Sequence, residues 1–296
     1  MAHYDYIIAD LRLRSDLRLT ELGLRNFEPF EVTTPCSKAD CTLSFVENID
    51  TSKQLNIKEL YHSHLEESNS DNHLYRVENG YLYSVKPCDG ESPATLFHLD
   101  TATWHITTNA TENNPAVLSF GIWMMFGIVL AHNNAIAIHS SCVVNSDFGV
   151  LFLGESGTGK STHTRLWLNH IEDTALLNDD SPIVRIKGSE IRVYGSPWSG
   201  KKPCYKAESY PIKSFCRLSQ APHNRIKRLP TIAALGALLP STPPQYAHDG
   251  ELQDAILSTL STILRRVGVY HLECLPDADA AYVAHKTMIL DAEGIG

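Results

Sequence analysis

The chain has 296 residues, of which 43% are hydrophobic and 20% charged, so it can form a sizeable core in one large domain or two smaller ones. Its 34 acidic residues outnumber its 25 basic ones and give a formal net charge of −9. Because such a surface repels nucleic acid and anionic membranes, we expect neither as a partner and expect a cytoplasmic protein.

Cysteine usage and the first residues agree with that expectation. The seven cysteines include no C-x-x-C pair, which favours reduced thiols over a disulfide framework or a structural zinc site. The opening stretch MAHYDYIIADLRLRSD contains three aspartates and no long apolar core. We therefore do not expect a signal peptide.

Residues 1–112 predict a β-rich, mostly antiparallel portion. LRLR at 11–14 alternates, and LYRVENGYLYSV at 74–85 places Asn79-Gly80 between two β-rich runs, which is a strong hairpin signal. The polar segment 58–73 between these runs predicts a loop or a short helix. Its His62-x-His64 pair has no carboxylate or cysteine at metal-site spacing, so we interpret the two histidines as solvated loop residues.

The next element, AVLSFGIWMMFGIVLA at 116–131, is apolar or small throughout. It is shorter than the roughly 20 residues that a membrane span needs, and Asn and His flank it instead of Lys or Arg. We therefore predict a buried helix that begins at Pro115 and places Trp123, Met124 and Met125 in or near a core.

From residue 113 to 296 the pattern of alternating strands and helices predicts a second, nucleotide-binding domain. The expected strands include AIAIHSSCVV (135–144), VLFL (150–153), ALLNDDSPIVRI, IRVYG, 212–220 and 269–275. Helices are expected at about 230–239, at 251–266 and from Asp277 onward. The stretch PSTPPQYAHDG at 240–250 predicts a loop and is a candidate lid.

The segment from Gly154 to Ser161, GESGTGKS, satisfies the Walker A pattern G-x-x-x-x-G-K-[ST]. Its glycines let backbone N–H groups turn around phosphate oxygens at a helix N-terminus, while Lys160 reaches the β and γ oxygens and Ser161 ligates Mg²⁺. The alternative is a glycine-rich turn with a stray lysine. We expect ATP and Mg²⁺ as ligands, with the nucleotide bound by Gly154, Glu155, Ser156, Gly157, Thr158, Gly159, Lys160, Ser161 and Thr162.

Two further groups are candidates for the chemistry. Asn178-Asp179-Asp180 follows a short apolar run, where one carboxylate can hold Mg²⁺ while the other faces an acceptor, although Asp-Asp-Ser-Pro is also good turn chemistry. His139 ends the strand AIAIH, and the turn that follows its strand would place it beside the phosphate-loop strand. A strand histidine is more often a packing residue.

The loop YGSPWSGKK at 194–202 combines small residues, a proline and two lysines. It predicts a mobile basic loop in which Lys201 closes over phosphates, and the alternative is an exposed loop with ordinary lysines. Other basic candidates remain unranked at this stage: Arg217, Arg225, Lys227, Arg228, Arg265 and Arg266.

Taken in order, IHSSCVV, NSDFG, VLFLGESGTGKST and ALLNDD resemble the catalytic domain of HPr kinase/phosphorylase and its relatives, within the phosphoenolpyruvate carboxykinase-like class of P-loop proteins. The resemblance is best over residues 135–200. It implies an α/β kinase core preceded by the β-rich portion, a nucleotide on 154–161, and roles for Asp179 and Asp180 at Mg²⁺ and at the acceptor hydroxyl. It also implies that His139 supports them.

The sequence departs from that family at three places. Thr162-His163 stands where the kinase usually has an acidic residue, SPWSGKK replaces a basic glycine-rich segment, and the N-terminal strands do not resemble the kinase's regulatory domain. We therefore expect an ATP- and Mg²⁺-dependent kinase acting on a hydroxyl of a protein serine or a small molecule, not specifically on HPr. Asp179 is assigned to the metal, and Asp180 to the acceptor.

Two other classes remain open at this stage. One is a nucleotide-binding regulatory or scaffold protein without turnover, and the other is an ATP hydrolase or carboxykinase-like enzyme. The sequence also leaves room for a homo-oligomer.

Overall fold

The computed structural model describes residues 3–34, 38–51, 56–66, 68–200 and 203–290. It is a mixed α/β structure with two large mixed sheets. The chain divides into two compact units, the first formed by Met1–Asn133 with Pro244–Asp254 and the second by Asn134–Pro243 with Ala255–Gly296.

The first unit is built on a sheet to which the described residues contribute nine strands. These are β1 (Tyr4–Ile8), β2 (Leu11–Ser15), β3 (Glu31–Val32), β4 (Cys41–Phe45), β5 (Lys58–Leu65), β6 (Ser70–Val77), β7 (Gly80–Pro87), β8 (Thr95–Asp100) and β9 (His105–Thr108). Their order in the sheet is β3-β1-β2-β4-β9-β8-β7-β6-β5. The pairs β2–β4 and β4–β9 are parallel and the others antiparallel, so the β-rich, mostly antiparallel portion expected here is present.

The expected hairpin lies between β6 and β7, shifted by one residue. Val77 pairs with Gly80, so the turn residues are Glu78 and Asn79. Gly80 has φ +149°, and a Cβ on it would lie 1.9 Å from the carbonyl oxygen of Leu99 on β8. The close approach of β8 therefore requires glycine at this position.

The polar segment 58–73 was expected to be a loop or short helix, and that expectation is wrong. Residues 58–65 form the edge strand β5, and Ser70 begins β6. An edge strand is paired on one side only and is largely exposed to solvent. It therefore needs few apolar side chains, and a polar sequence can still form its backbone hydrogen bonds. The His62-x-His64 pair therefore lies on a strand.

The apolar segment 116–131 forms α1 (Pro115–His132), the buried helix expected from the sequence. Its N-terminus is capped by Asn114, whose side chain accepts a hydrogen bond from the Val117 amide at 3.2 Å. Met124 and Met125 are fully buried, whereas Trp123 is half-buried. By length and composition α1 could also cross a membrane, but 56% of its most apolar window is buried within the protein.

α1 packs on β7 and β8 of the first sheet. The sequence places a domain boundary between residues 112 and 113, whereas the division in the structure follows Asn133 because α1 belongs with this sheet. Pro244–Asp254 also belongs to the first unit, and within it the buried Tyr246 donates a hydrogen bond to the Met124 carbonyl oxygen at 2.7 Å.

The second unit contains a further nine strands in the described part of the chain. These are β10 (Ala135–Ala137), β11 (Ser140–Asn145), β12 (Phe148–Leu153), β13 (Thr174–Asp180), β14 (Ile183–Lys187), β15 (Glu190–Tyr194), β16 (Ser209–Gln220), β17 (Arg225–Arg228) and β18 (Gly268–Cys274). Its helices are α2 (Lys160–His170), α3 (Thr231–Leu238), α4 (Gly250–Leu264, of which residues up to Asp254 belong to the first unit) and α5 (Ala278–His285). The helix expected from Asp277 is present, with Asp277 as its N-cap.

The strand order is β10-β14-β15-β16-β12-β11-β13, with β18 beside β16 and β17 beside β18. The central strands β12, β16 and β18 are parallel, so their carboxyl ends share one edge. The core beneath them is apolar, and it is filled by Phe152, Trp167, Leu272 and Met288 among others.

Two expectations for this part of the chain need correction. AIAIHSSCVV is two strands, not one: β10 pairs with β14, β11 pairs with β12 and β13, and the break falls at Ile138-His139. The candidate lid at 240–250 is not an open loop, because short 3₁₀ turns at Leu239–Ser241 and Pro244–Tyr246 hold much of it. Ser241, Thr242, Tyr246 and Asp249 are all buried.

Candidate functional site

The candidate site lies where three strands of the second unit meet at one residue. Ser140, the first residue of β11, pairs with Leu153 at the end of β12 and with Asp180 at the end of β13. The same edge of the sheet therefore carries three groups: the loop that follows Leu153, the end of β13 at Asp180, and His139, which precedes Ser140. Ligands of open α/β sheets bind at such a carboxyl edge.

The strand and helix expected around the glycine-rich segment are present. β12 ends at Leu153, the loop runs from Gly154 to Gly159, and α2 begins at Lys160. Gly154, Gly157 and Gly159 have φ values of +152°, +82° and +106°, a region that L side chains rarely adopt. This backbone would be strained with other residues at the three positions, which explains why glycine occupies them.

Lys160 folds back over the loop that precedes it. Its Nζ donates to the carbonyl oxygen of Gly154 at 2.6 Å and to that of Glu155 at 3.3 Å. Partial burial lowers the pKa of Lys160, and the carboxylates of Asp180 and Asp179 oppose that shift. The ammonium group is thus held at the mouth of the loop with two carboxylates near enough to act on it.

A chain of polar contacts links Lys160 to Asp180 through His139. Lys160 Nζ lies 3.2 Å from His139 Nε2, and His139 Nδ1 lies 3.2 Å from Asp180 Oδ1. An ammonium can only donate, so Nε2 accepts from Lys160 and the Nδ1 side of the ring faces the Asp180 carboxylate. His139 and Asp180 are about half exposed, so the chain lies in a solvated cleft.

The Asn178-Asp179-Asp180 segment is held from behind by Asn178, which is fully buried. Its Oδ1 accepts from the amides of Asp180 at 3.1 Å and Ser181 at 2.9 Å, and its Nδ2 donates to the Trp198 carbonyl oxygen at 2.9 Å. These contacts fix the backbone of the two carboxylates. Asp179 and Asp180 are left half-buried at the edge.

The loop 194–202 was expected to be a mobile, exposed basic loop, whereas its described part is largely buried and hydrogen-bonded. Tyr194 to Trp198 are buried, the Gly200 amide donates to the Asp179 carbonyl oxygen at 3.0 Å, and Ser199 forms a β-bridge with Asp180. This segment is a support beneath the carboxylates. Lys201, the predicted closing residue, and Lys202 lie outside the described residues.

Among the basic residues that the sequence could not rank, Arg217 is the one beside the loop. It pairs with Leu153 across β16 and β12, and its Nη2 lies 3.7 Å from Glu155 Oε1. No local sequence signal identifies it, because its position depends on the register of two parallel strands that are 64 residues apart in the chain (217 − 153).

Two residues of α2, Thr164 and His163, lie behind the loop and are buried. Thr164 donates to Ser141 Oγ at 2.8 Å and so fixes the helix to β11. His163, the second residue of the Thr162-His163 pair that stands where the resemblance expects an acidic residue, is buried, and burial lowers its pKa to about 4. Trp167 Nε1 donates to His163 Nε2 at 3.0 Å.

A cavity of about 480 Å³ opens beside the loop at the carboxyl ends of β16 and β18. Its lining is mostly apolar with a few polar groups: Thr158, Gly159, Thr162, His163, Leu166, Gln220, Ala221, Cys274, Leu275 and Pro276. Pockets of this size and character suit a planar aromatic ligand group.

Comparison with known proteins gives little beyond this geometry. No protein-family model matches the chain, and no curated protein matches it in sequence. Among solved structures the chain is similar to an HPr(Ser) kinase/phosphatase from Coxiella burnetii, at a TM-score of 0.33 and 12% identity over 53% of this chain and 93% of that one. A similarity at this level carries no argument about family or activity.

Proposed function

We propose that the second unit is an ATP- and Mg²⁺-dependent kinase that transfers a phosphoryl group to a hydroxyl of a protein serine or of a small molecule. The observation that supports it best is the meeting of the loop 154–159, Lys160, His139 and Asp180 at one sheet edge, where His139 lies 3.2 Å from both Lys160 Nζ and Asp180 Oδ1.

The loop and the start of α2 would hold the phosphates. Backbone N–H groups from Gly154 to Thr162 surround them, the helix N-terminus adds its positive end, and Lys160 and Arg217 add charge. Ser161 and Asp179 offer a hydroxyl and a carboxylate oxygen, the ligand class that Mg²⁺ prefers, so the residues fit the ion. Bound there, Mg²⁺ would neutralise negative charge on the transferring group.

The cavity beside the loop would take the nucleotide base. It adjoins Thr158, Gly159 and Thr162, the part of the loop nearest the helix, and its apolar lining suits an aromatic ring. Gln220 is the polar side chain at its rim, and its Nε2 donates to the Gly157 carbonyl oxygen at 3.2 Å.

Asp180 would orient the acceptor hydroxyl and accept its proton. His139 Nδ1 lies 3.2 Å from Oδ1 of Asp180, so His139 would be a positioning residue that leaves the other carboxylate oxygen for the acceptor. Positioning and electrostatics supply most of the rate enhancement in phosphoryl transfer, so this small set of groups is sufficient in principle.

Binding is tested by thermal unfolding with and without ATP and Mg²⁺. We expect the nucleotide to raise the melting temperature of the wild type, and Lys160→Ala to lose most of that shift. If ATP stabilised the wild type and Lys160→Ala equally, the assignment of the loop would be wrong.

Chemistry is tested by a transfer screen with γ-labelled ATP against amino acids, nucleosides, sugars and proteins of the same cell. We expect Asp180→Asn to bind ATP nearly as the wild type does and to lose about 10²–10⁴-fold in turnover, the scale of a positioned general base. Asp179→Asn should weaken Mg²⁺-nucleotide binding. The matched control is Asp147→Asn, an exposed aspartate in the turn at the opposite ends of β11 and β12.

Three results would contradict the kinase. Tight ATP binding with no labelled acceptor and no phosphate release would indicate a regulatory or scaffold protein. Release of phosphate without any acceptor would indicate a hydrolase. Full turnover in both Asp179→Asn and Asp180→Asn would show that the Asn178-Asp179-Asp180 segment is only a turn.

A further inference from the structure

The exposed face at the β5 edge of the first sheet brings together three side chains of different chemistry. His64 on β5 lies directly opposite Asp71 on β6, and Cys88 follows the last residue of β7. Each offers one ligand atom, and these atoms all lie within 4.8 Å of one another. The sequence shows no such group, because the partners of His64 are 7 and 24 residues away (71 − 64 and 88 − 64).

The strand register explains why the three side chains share a face. Directly paired residues in an antiparallel sheet point to the same side, and so do residues two apart on one strand. Asp71 is paired with His64 on one side and with Lys86 on the other, and Cys88 is two residues beyond Lys86. The Cys88 amide donates to the Asn69 carbonyl oxygen at 2.9 Å, which holds the end of β7 against the start of β6.

The distances within the group are close to those of a tetrahedral metal centre. His64 Nδ1 and Asp71 Oδ1 are 2.9 Å apart. At metal–ligand distances of about 2.0–2.3 Å, tetrahedral ligands are roughly 3.3–3.8 Å apart, so modest side-chain rotations reach that geometry. The three side chains are exposed or half-exposed, so they can make these rotations without repacking a core.

Imidazole nitrogen, carboxylate oxygen and thiolate sulfur are together the ligand set of borderline-soft divalent ions, whereas Mg²⁺ and Ca²⁺ prefer oxygen alone. Further groups on the same face favour a cation. His62 Nε2 lies 3.9 Å from Asp71 Oδ1, and His62 is two residues from His64 on β5. Lys86 is the opposing charge, and it is exposed and free to extend into solvent.

We infer that His64, Asp71 and Cys88 form a binding site for one Zn²⁺ ion, with the fourth position open to water. As the sulfur–metal bond forms, the thiol proton of Cys88 passes to solvent and no change of oxidation state is needed. The ion joins β5 to the end of β7 and so stabilises the exposed edge of the sheet. This inference does not depend on the proposed kinase activity.

The experiment is equilibrium dialysis of the purified protein against Zn²⁺, followed by Co²⁺ as a spectroscopic probe. We expect one tightly bound ion per chain in the wild type and at least about tenfold weaker binding in His64→Ala, Asp71→Asn and Cys88→Ser, the smaller end of what changes around a metal centre usually cost. Bound Co²⁺ should show thiolate-to-metal charge transfer that Cys88→Ser removes.

Matched controls test whether Zn²⁺ binds at His64, Asp71 and Cys88 specifically or at any surface histidine or thiol. His223 is an exposed histidine 3.9 Å from the Glu273 carboxylate, and the half-buried Cys274 is a thiol in the second unit. His223→Ala and Cys274→Ser should keep wild-type affinity and the full Co²⁺ spectrum. Melting temperatures in a chelator check that all variants fold.

Three outcomes would overturn the inference. They are a wild type that binds no ion tightly, affinities that fall equally in His223→Ala and His64→Ala, and a thiolate band that survives in Cys88→Ser. Added Zn²⁺ should also raise the melting temperature of the wild type by more than that of Cys88→Ser at the same concentration, by mass action.

Discussion

At the scale of single residues, the second unit fixes the candidate carboxylates Asp179 and Asp180 through a buried neighbour. Asn178 has no exposed surface, yet both ends of its amide are hydrogen-bonded, so the two carboxylates after it have a fixed backbone. His163 is the opposite case. Its Nδ1 is buried without a hydrogen-bond partner among the described residues, and its other nitrogen accepts from Trp167.

His163 gives the folded protein a dependence on acid. Burial lowers its pKa to about 4, against 6.5 in the unfolded chain, so between these values the unfolded state binds more protons and folding stability decreases as the pH is lowered. The stabilisation is fully present above pH 6.5 and is lost as pH falls toward 4, amounting to at most about 3 kcal/mol. Denaturant unfolding at several pH values measures it.

The matched variant is His163→Gln, which keeps an acceptor for the Trp167 indole and has no proton to gain. Between pH 6.5 and 4 we expect its free energy of unfolding to change less than that of the wild type. Above pH 6.5 the two plots of unfolding free energy against pH should run parallel. Parallel curves across the whole range would show that His163 is not the group responsible.

At the scale of elements, α1 is held to its sheet by close contact at a glycine. A Cβ on Gly121 would lie 2.1 Å from Cζ of Phe97, a fully buried ring on β8. We expect Gly121→Ala to destabilise the protein by about 1–3 kcal/mol, because helix and ring must separate. Gly236 on α3 is the control: nothing lies within 4 Å of its added Cβ, so Gly236→Ala should stabilise by up to about 1 kcal/mol.

Thermal unfolding of the two variants measures this difference. Equal effects of Gly121→Ala and Gly236→Ala would mean that helix propensity alone decides both, and that the contact with Phe97 does not hold α1 in place.

Elements with a strong local pattern could be predicted from the sequence. α1 has its apolar run and Pro115, the β6–β7 hairpin has its glycine, and the loop 154–159 has its flanking strand and helix. β5 could not, since an edge strand with polar residues has no apolar periodicity to detect. The split of 135–144 at Ile138-His139 was also missed, because no glycine or proline marks the break between the two strands.

The candidate site divides in the same way. Its contiguous parts, Gly154–Thr162 and Asp179-Asp180, were found from the sequence, and the roles assigned to them stay predictions. Arg217 and the support that residues 196–200 give to Asp179 depend on which strands pair and in what register. Pairing between distant segments is decided by burial over the whole sheet, so no local stretch of sequence contains it.

At the scale of the whole molecule, the first unit is discontinuous in sequence. Within that unit, Arg76 on β6 contacts Asp249 at 3.3 Å and Glu251 at 2.9 Å, and Tyr246 is fully buried. We expect a fragment of residues 1–133 to melt well below the same fragment joined by a flexible Gly-Ser linker to residues 244–254. Circular dichroism of the two proteins measures this.

The control is the joined fragment with Tyr246→Ala, which removes the hydrogen bond to Met124 and leaves a cavity. It should melt between the other two. Equal melting temperatures for residues 1–133 alone and for the joined fragment would show that 244–254 adds nothing to the unit.

The same discontinuity orders events on the ribosome. Residues 134–243 separate the two parts of the first unit, which is 110 residues of chain (243 − 134 + 1). At about 5–20 residues per second, translation of that interval takes roughly 5–20 s. Throughout it the first unit lacks Tyr246, whose hydroxyl is bonded to α1, and Asp249, which pairs with Arg76, so part of its apolar surface stays exposed. The N-terminal half of this protein is therefore made first and finished late, and chaperones that bind exposed apolar surface have a defined interval in which to meet it.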